Sequence, residues 1–241
     1  MRIGTEKYNS KLLEIEHYKK HRQMLPFVGK HYGECKKLLI IGESHYLEGA
    51  GKEEKNKKII EEWYCKSIDD LKINDEEVYN FTNTAQVVEL YHNVYKGVHR
   101  MWGNIRKAIC DTDFRPDGNE HILSFIAFMN FFQRPSQKNG ESIDHDEKDR
   151  SIANETLAEV IKVLDPNCLF FVSKETWKNG YDKNENIFNQ DCVGYSAHPT
   201  SRKHWWGKNC KNYINYESKE EMATNGKGSF ISFIKCNKIF T

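Results

Sequence analysis

The chain has 241 residues, 38% of them hydrophobic and 29% charged, with a formal net charge of +1. That apolar content excludes a disordered or collagen-like chain and suffices to bury a sizeable core without disulfides. The near-zero charge singles out neither a polyanion nor a membrane surface, and the longest apolar run, the ten residues Leu123 to Phe132, is shorter than the roughly 20 needed to span a bilayer.

Tyr8 to Gln23 carries Leu12, Leu13, Ile15 and Tyr18 at loosely helical spacing and stops before Pro26, which holds Leu25 extended. Leu25 to Gly33 reads as a loop. Leu38 to Ile41, closed by Gly42, has the unbroken apolar character of a buried parallel strand. Leu47 to Asn80 is dominated by Lys, Glu and Asp and reads as a charged surface insertion with helical pieces, placed where a lid would be. From about Thr84 to Ile109 the residues Val87, Val88, Tyr91, Val94, Val98, Trp102, Ile105 and Ile109 predict one amphipathic helix. Ile122 to Met129 is a second buried strand, closed by Asn130, and Gln133 to Arg150 is a polar loop. Ser151 to Leu164 is an amphipathic helix, Cys168 to Val172 a third strand and Cys192 to Ala197 a fourth. Ser229 to Phe240 is apolar and fits strand or helix.

Strands alternating with helices predict an α/β fold: a single three-layer domain over 1–241, with a mostly parallel four-stranded central sheet and helices on both faces. Met1 to Glu6 show no apolar signal region, and the seven cysteines form no C-x-x-C pair, so a cytoplasmic protein with reduced thiols in or near the core is expected.

Ligands of such sheets bind at the carboxyl ends of the strands. Three polar clusters fall there: Gly42-Glu43-Ser44-His45-Tyr46, Asn130 through Pro135, and Ala197-His198-Pro199-Thr200-Ser201. The Asn130 amide offers a donor and an acceptor together, which suits the edge of a pyrimidine. His198 can donate to an oxygen on which negative charge develops. Glu43 can hold a water or favour a cationic sugar, and Phe131, Phe132 or Phe81 can stack on a flat ring. Between Ser196 and Asn215 lie Arg202, Lys203, Lys208 and Lys211 with no acid, interleaved with Trp205, Trp206 and Tyr213. Such a stretch suits a phosphate backbone with stacked bases, and equally a solvated basic loop.

In this order, from about Leu25 to Trp206, these motifs resemble the uracil-DNA glycosylase superfamily. Leu38 to Glu43 is similar to its first motif, a strand ending in Gly-Glu or Gly-Gln. Asn130, followed by Arg134-Pro135, resembles the asparagine that reads the base, and His198-Pro199-Thr200 resembles the His-Pro-Ser motif that supplies the catalytic histidine. Ser44 stands where several branches carry a water-activating aspartate, and His45 replaces a proline. Tyr46 matches a tyrosine that crowds a 5-methyl group in the uracil-specific branch. The four-cysteine spacing of the iron–sulfur branches is missing.

The resemblance implies a monofunctional DNA glycosylase that leaves an abasic site, needs no metal or other cofactor, and has no obligate protein partner. Glu43, Ser44 and His198 would be catalytic, with Asn130, Tyr46, Phe131 and Phe81 around the base. Thr200, Ser201, Arg202, Lys203, Trp205, Trp206 and Arg134 would contact single- or double-stranded DNA. The base would be uracil in repair, or a bulky modified cytosine of phage DNA in defence. Two rival readings are a small esterase with Ser44 as nucleophile and His198 as base, and a DNA-binding relative without turnover. Asp144-His145-Asp146 has no spacing that forces a metal site.

Overall fold

Every residue of Leu38–Gly42 is buried, so a strand there needs neighbours on both edges and cover on both faces. The computed structural model, which describes residues 2–47, 53–73, 76, 81–93, 100–118, 120–137, 141–181, 188 and 192–241, places it at the centre of a five-stranded sheet. The strands are β1 (Phe27–Val28), β2 (Leu38–Gly42), β3 (Ile126–Asn130), β4 (Cys168–Phe171) and β5 (Val193–Tyr195), in spatial order β1-β3-β2-β4-β5. β2 pairs parallel with β3 and β4, and β5 extends the parallel set beyond β4. The chain thus adds β3 on one side of β2 and β4 on the other, which opens a crevice at the carboxyl ends of the strands.

The mostly parallel α/β architecture is as expected, with one strand more than the four predicted. β1 runs antiparallel to β3, with Phe27 opposite Phe128, in a stretch expected to be loop. Two residues are too few to show an alternating pattern, and an edge strand tolerates the preceding Pro26.

Alternate strand residues point to opposite faces. Leu39, Ile41, Ala127, Met129, Leu169 and Phe171 join one core cluster, and Leu38, Ile40, Ile126, Phe128, Cys168 and Phe170 join the other. The first face is covered by α1 (Asn9–Leu12), α2 (Glu16–Lys20), α3 (Glu53–Glu62) and the long helix Glu147–Leu164. The expected single helix from Tyr8 to Gln23 is broken because Ile15 is extended (φ −67°, ψ 128°). The second face is covered by α4 (Thr84–Asn93), α5 (Arg100–Cys110) and the C-terminal helix Gly226–Cys236. The expected helix from Thr84 to Ile109 is therefore seen as two segments, and its residues 94–99 lie outside the described residues. In chain order Glu147–Leu164 is α6 and Gly226–Cys236 is α7. A capping box between Asp146 and Asp149 starts α6, and the apolar tail resolves as helix.

The charged segment 47–80 is only partly surface. Ile59, Trp63, Ile68, Leu71 and Ile73 are buried in the first core cluster. Trp63 stacks on His21 (centroids 4.6 Å, 6° between planes), and its indole N–H donates to the Gln133 carbonyl at 2.8 Å. Lysines and glutamates cover the outer side of the same segment, so composition alone gave it the look of an appendage. The cysteines carry free thiols; Cys168 is buried, whereas Cys65 and Cys236 are exposed rather than near the core. No helix among the described residues is long and apolar enough to cross a membrane.

Candidate active site

β2 and β3 end level, Gly42 opposite Asn130. A Cβ at Gly42 would overlap the Asn130 side-chain oxygen and come within 2.7 Å of the Phe128 ring. Glycine is thus what lets the Asn130 amide lie across the strand end. The two exit segments leave together, as the Phe131 and Phe132 N–H groups donate to the Gly42 and Glu43 carbonyls at 3.1 and 2.9 Å. Among the described residues no hydrogen bond occupies the Asn130 amide; its backbone carbonyl accepts from Gln133 at 2.7 Å.

Glu43 is held at both oxygens. Oε1 accepts the Ile143 N–H at 3.1 Å and Oε2 the Ser173 hydroxyl at 2.7 Å. Each oxygen keeps a second lone pair for a water or a cationic group. Ser173 follows β4, so the sheet's carboxyl edge supplies this support as well as the site itself.

His198 follows β5. The Thr200 hydroxyl lies 2.8 Å from its Nδ1, and the Thr200 backbone N–H donates to the same nitrogen at 3.3 Å. Nδ1 is therefore the acceptor and the proton sits on Nε2. Burial lowers the His198 pKa, opposed by the Glu43 charge, so at neutral pH the ring is a neutral Nε2–H donor. The loop is pinned by the Asn104 amide, which donates to the Pro199 carbonyl at 2.8 Å.

Glu43, Ser44, Tyr46, Phe81, Asn130 and His198 line one cavity of about 590 Å³, with Thr200 and Ser201 also in its wall. Ser44 is buried, and its hydroxyl has no hydrogen-bond partner among the described residues. Burial, and then the Glu43 charge, raises the Tyr46 pKa, which keeps that phenol neutral. Sequence reasoning missed the wall formed by Thr84 and Val87 of α4 and by Arg100, Met101 and Trp102 of α5. Trp102 meets Phe128 edge-on at 4.5 Å. Ser173 was also missed, although its position just past a strand end was the available signal.

Three expected contacts, Phe131, Arg134 and Trp205, are corrected. Phe131 is fully buried against Phe132 and Phe171 and cannot stack on a ligand. Arg134 is buried in a bidentate ion pair with Asp149, both bonds 2.7 Å, and faces no DNA. Trp205 is fully buried near Phe230, so it is no wedge. Trp206 is half-buried between the Lys107 and Lys227 ammonium groups, 5.4 and 4.9 Å from its ring. Arg202 and Lys203 are exposed, as a backbone contact requires.

His45 also lines the cavity, but as a structural group. Its Nδ1–H donates to the Phe81 carbonyl at 3.1 Å, and Nε2 pairs with the Thr84 hydroxyl at 3.0 Å. Burial lowers its pKa to about 4, and does the same for His21 despite the Trp63 carbonyl on its Nε2. Both are protonated more readily in the unfolded chain, whose pKa is near 6.5. Stability is therefore full above pH 6.5 and falls as pH drops towards 4, by up to about 3 kcal/mol for each ring. Urea unfolding at pH 7 and pH 4.5 tests this, and an unchanged midpoint would rule it out.

Among the described residues no group of three or more His, Cys, Asp or Glu is placed to hold a metal ion. Comparison with protein-family models, curated proteins and solved structures gives no match to this chain.

Proposed function

We propose that this chain is a monofunctional DNA glycosylase that hydrolyses the N-glycosidic bond of a flipped uracil or modified pyrimidine. The observation that carries the reading is the convergence of Glu43, Asn130 and His198 from three strand ends into one cavity. The unoccupied Asn130 amide reads the base edge by paired hydrogen bonds, while Phe81 and Tyr46 supply aromatic walls. As the bond from the sugar C1′ to the base nitrogen breaks, its electron pair leaves with the base, and His198 Nε2–H donates to the base oxygen that gains charge. The fixed Glu43 carboxylate favours the cationic sugar and orients the water that adds to C1′; the Ser44 hydroxyl lies in the same wall. The water's proton is released and the base departs, leaving an abasic site. No lysine lines the cavity among the described residues, and the reading accordingly includes neither a Schiff base nor strand cleavage.

A cavity of about 590 Å³ falls within the roughly 300–1,000 Å³ of sites that take much larger molecules than a bare pyrimidine. This favours a base with a bulky substituent, as in modified phage DNA, with the α4–α5 wall taking the extra group. Exposed Arg202 and Lys203 then contact the phosphates. The esterase reading is supported less, because Ser44 has no bond to His198, whose Nδ1 is taken by Thr200.

The test is base release from single- and double-stranded oligonucleotides carrying uracil, and from phage DNA with modified cytosines, read as alkali-labile sites. Release that Asn130→Ala suppresses and Ser44→Ala only weakens is expected. Salt-sensitive binding without any abasic sites would leave a DNA-binding protein without turnover, and Ser44-dependent ester hydrolysis would establish the rival.

A further inference from the structure

The peptide between Pro199 and Thr200 is held at both ends. Its N–H donates to His198 Nδ1 at 3.3 Å, and its carbonyl accepts from the Asn104 amide at 2.8 Å. A peptide unit is planar, so whatever aims the carbonyl also aims the N–H. This unit is the middle of a tight turn, closed by the Ser201 N–H donating to the His198 carbonyl at 2.9 Å. Thr200 keeps a negative φ, so the turn is not of type II, and full reversal of the peptide would need a positive φ that a β-branched residue resists. Smaller tilts stay open to the turn. At 3.3 Å the contact on Nδ1 is longer than the roughly 2.7–3.2 Å of a strong N–H bond, and a small tilt breaks it.

The two groups on Nδ1 are not equivalent. The Thr200 hydroxyl, 2.8 Å away, can donate or accept and so suits either tautomer of the ring. The Thr200 N–H can only donate, so it is the group that decides where the proton sits. Asn104 is well placed to hold that N–H in line. It lies on α5 between Trp102 and Ile105, which are buried with Ala108 and Ile109, and Trp102 is braced edge-on against Phe128 of β3. Asparagine favours caps and turns over helix interiors; here its donor goes to a loop 95 residues further along the chain. The packed helix gives the clamp a rigid base.

We infer that Asn104 is a positioning residue that keeps the His198 proton on Nε2 by fixing the Pro199–Thr200 peptide. The tautomer follows from the geometry alone, and its consequence for base release rests on the glycosylase reading. In that reaction Nε2–H is the donor to the departing base, whereas an Nδ1–H ring would turn a lone pair towards it.

Nitrogen-15 NMR of the His198 ring at neutral pH tests the assignment on the intact protein, with the His198→Ala spectrum identifying its signals among the ten histidines. The wild-type ring is expected in the Nε2–H form. Asn104→Leu keeps the side chain's approximate size and removes the donor. Asn104→Ala removes it with the best helix former, so α5 is retained. Each is expected to shift the tautomer ratio towards Nδ1–H by about two- to tenfold, the net worth of one hydrogen bond, with circular dichroism showing that both are folded. On a substrate found by base release, kcat should fall by about tenfold with KM unchanged, since the ring loses its fixed position as well as part of its Nε2–H form. In the His198→Ala background Asn104→Leu should cost nothing further. A wild-type ring protonated on Nδ1, ring signals unchanged in both variants, or the full loss repeated in the His198→Ala background would each overturn the assignment. The NMR readout needs no substrate, so failure here and failure of the glycosylase reading are separate results.

Discussion

Replacing His198 with alanine is expected to lower kcat for base release by about 100- to 1000-fold, the usual cost of removing one oxyanion donor, with little change in KM. The split follows from when the bond matters. Under the proposed mechanism Nε2–H meets a weakly charged oxygen in the ground state and a developing anion in the transition state, so its loss falls on the chemical step. Thr200→Val tests the tautomer separately. It removes the hydroxyl that lies 2.8 Å from Nδ1 but keeps the backbone N–H on the same atom. A smaller loss in kcat is expected, because the ring keeps one of the two groups that place its proton on Nε2. Single-turnover assays on the substrate found by base release measure both variants. A loss of less than about tenfold in His198→Ala would remove the histidine from the leaving-group role, since that is far below what such donors supply.

The parts of the fold that could be read in advance are those whose residues carry local patterns. Leu38 to Ile41 is buried throughout and reads as a central strand, and the strand ends bring Gly42, Asn130 and Ala197 to one edge of the sheet. What escaped is tertiary. Phe131 follows Asn130 directly, yet the chain turns there and sends the ring into the core while Asn130 stays at the cavity. Trp205 and Trp206 are adjacent, and only the second keeps a partly open face. Glu43 takes its two partners from 100 and 130 residues away. No spacing rule joins such distant groups, so the strand-end clusters pointed to this cavity but left the supports of Glu43 unseen. The charged segment misled for a related reason: Ile59, Trp63 and Leu71 supply its buried side, and its charged majority hides them.

Arg134→Ala is expected to cost about 3–5 kcal/mol of stability, the range for breaking a buried ion pair by removing one partner. Arg134 and Asp149 are 6% and 1% exposed, so solvent cannot replace the lost guanidinium. Asp149 also accepts from the Tyr64 hydroxyl at 2.8 Å and the Asp146 N–H at 3.0 Å. Burial alone would raise its pKa, but Arg134 and these donors outweigh it and hold the carboxyl below its usual value. A depressed carboxylate stabilises above its unfolded pKa and loses that contribution as pH falls through the folded one. Arg134→Ala should therefore flatten the acid limb of the stability profile as well as lower its plateau. Arg134 also donates to the Asp144 carbonyl at 2.7 Å, next to the Ile143 N–H that holds Glu43. Loss of the guanidinium thus loosens the strap behind the Glu43 carboxylate, and under the proposed function a fall in kcat that exceeds the fraction unfolded is the expected signature. The double variant Arg134→Met with Asp149→Leu removes both charges and should recover much of the stability, since an apolar pair avoids the unpaired carboxylate. Urea unfolding of Arg134→Met, Asp149→Leu and the double variant closes the cycle, and a cost below about 1 kcal/mol for Arg134→Ala would mean the pair is solvated and the strap is held by other contacts.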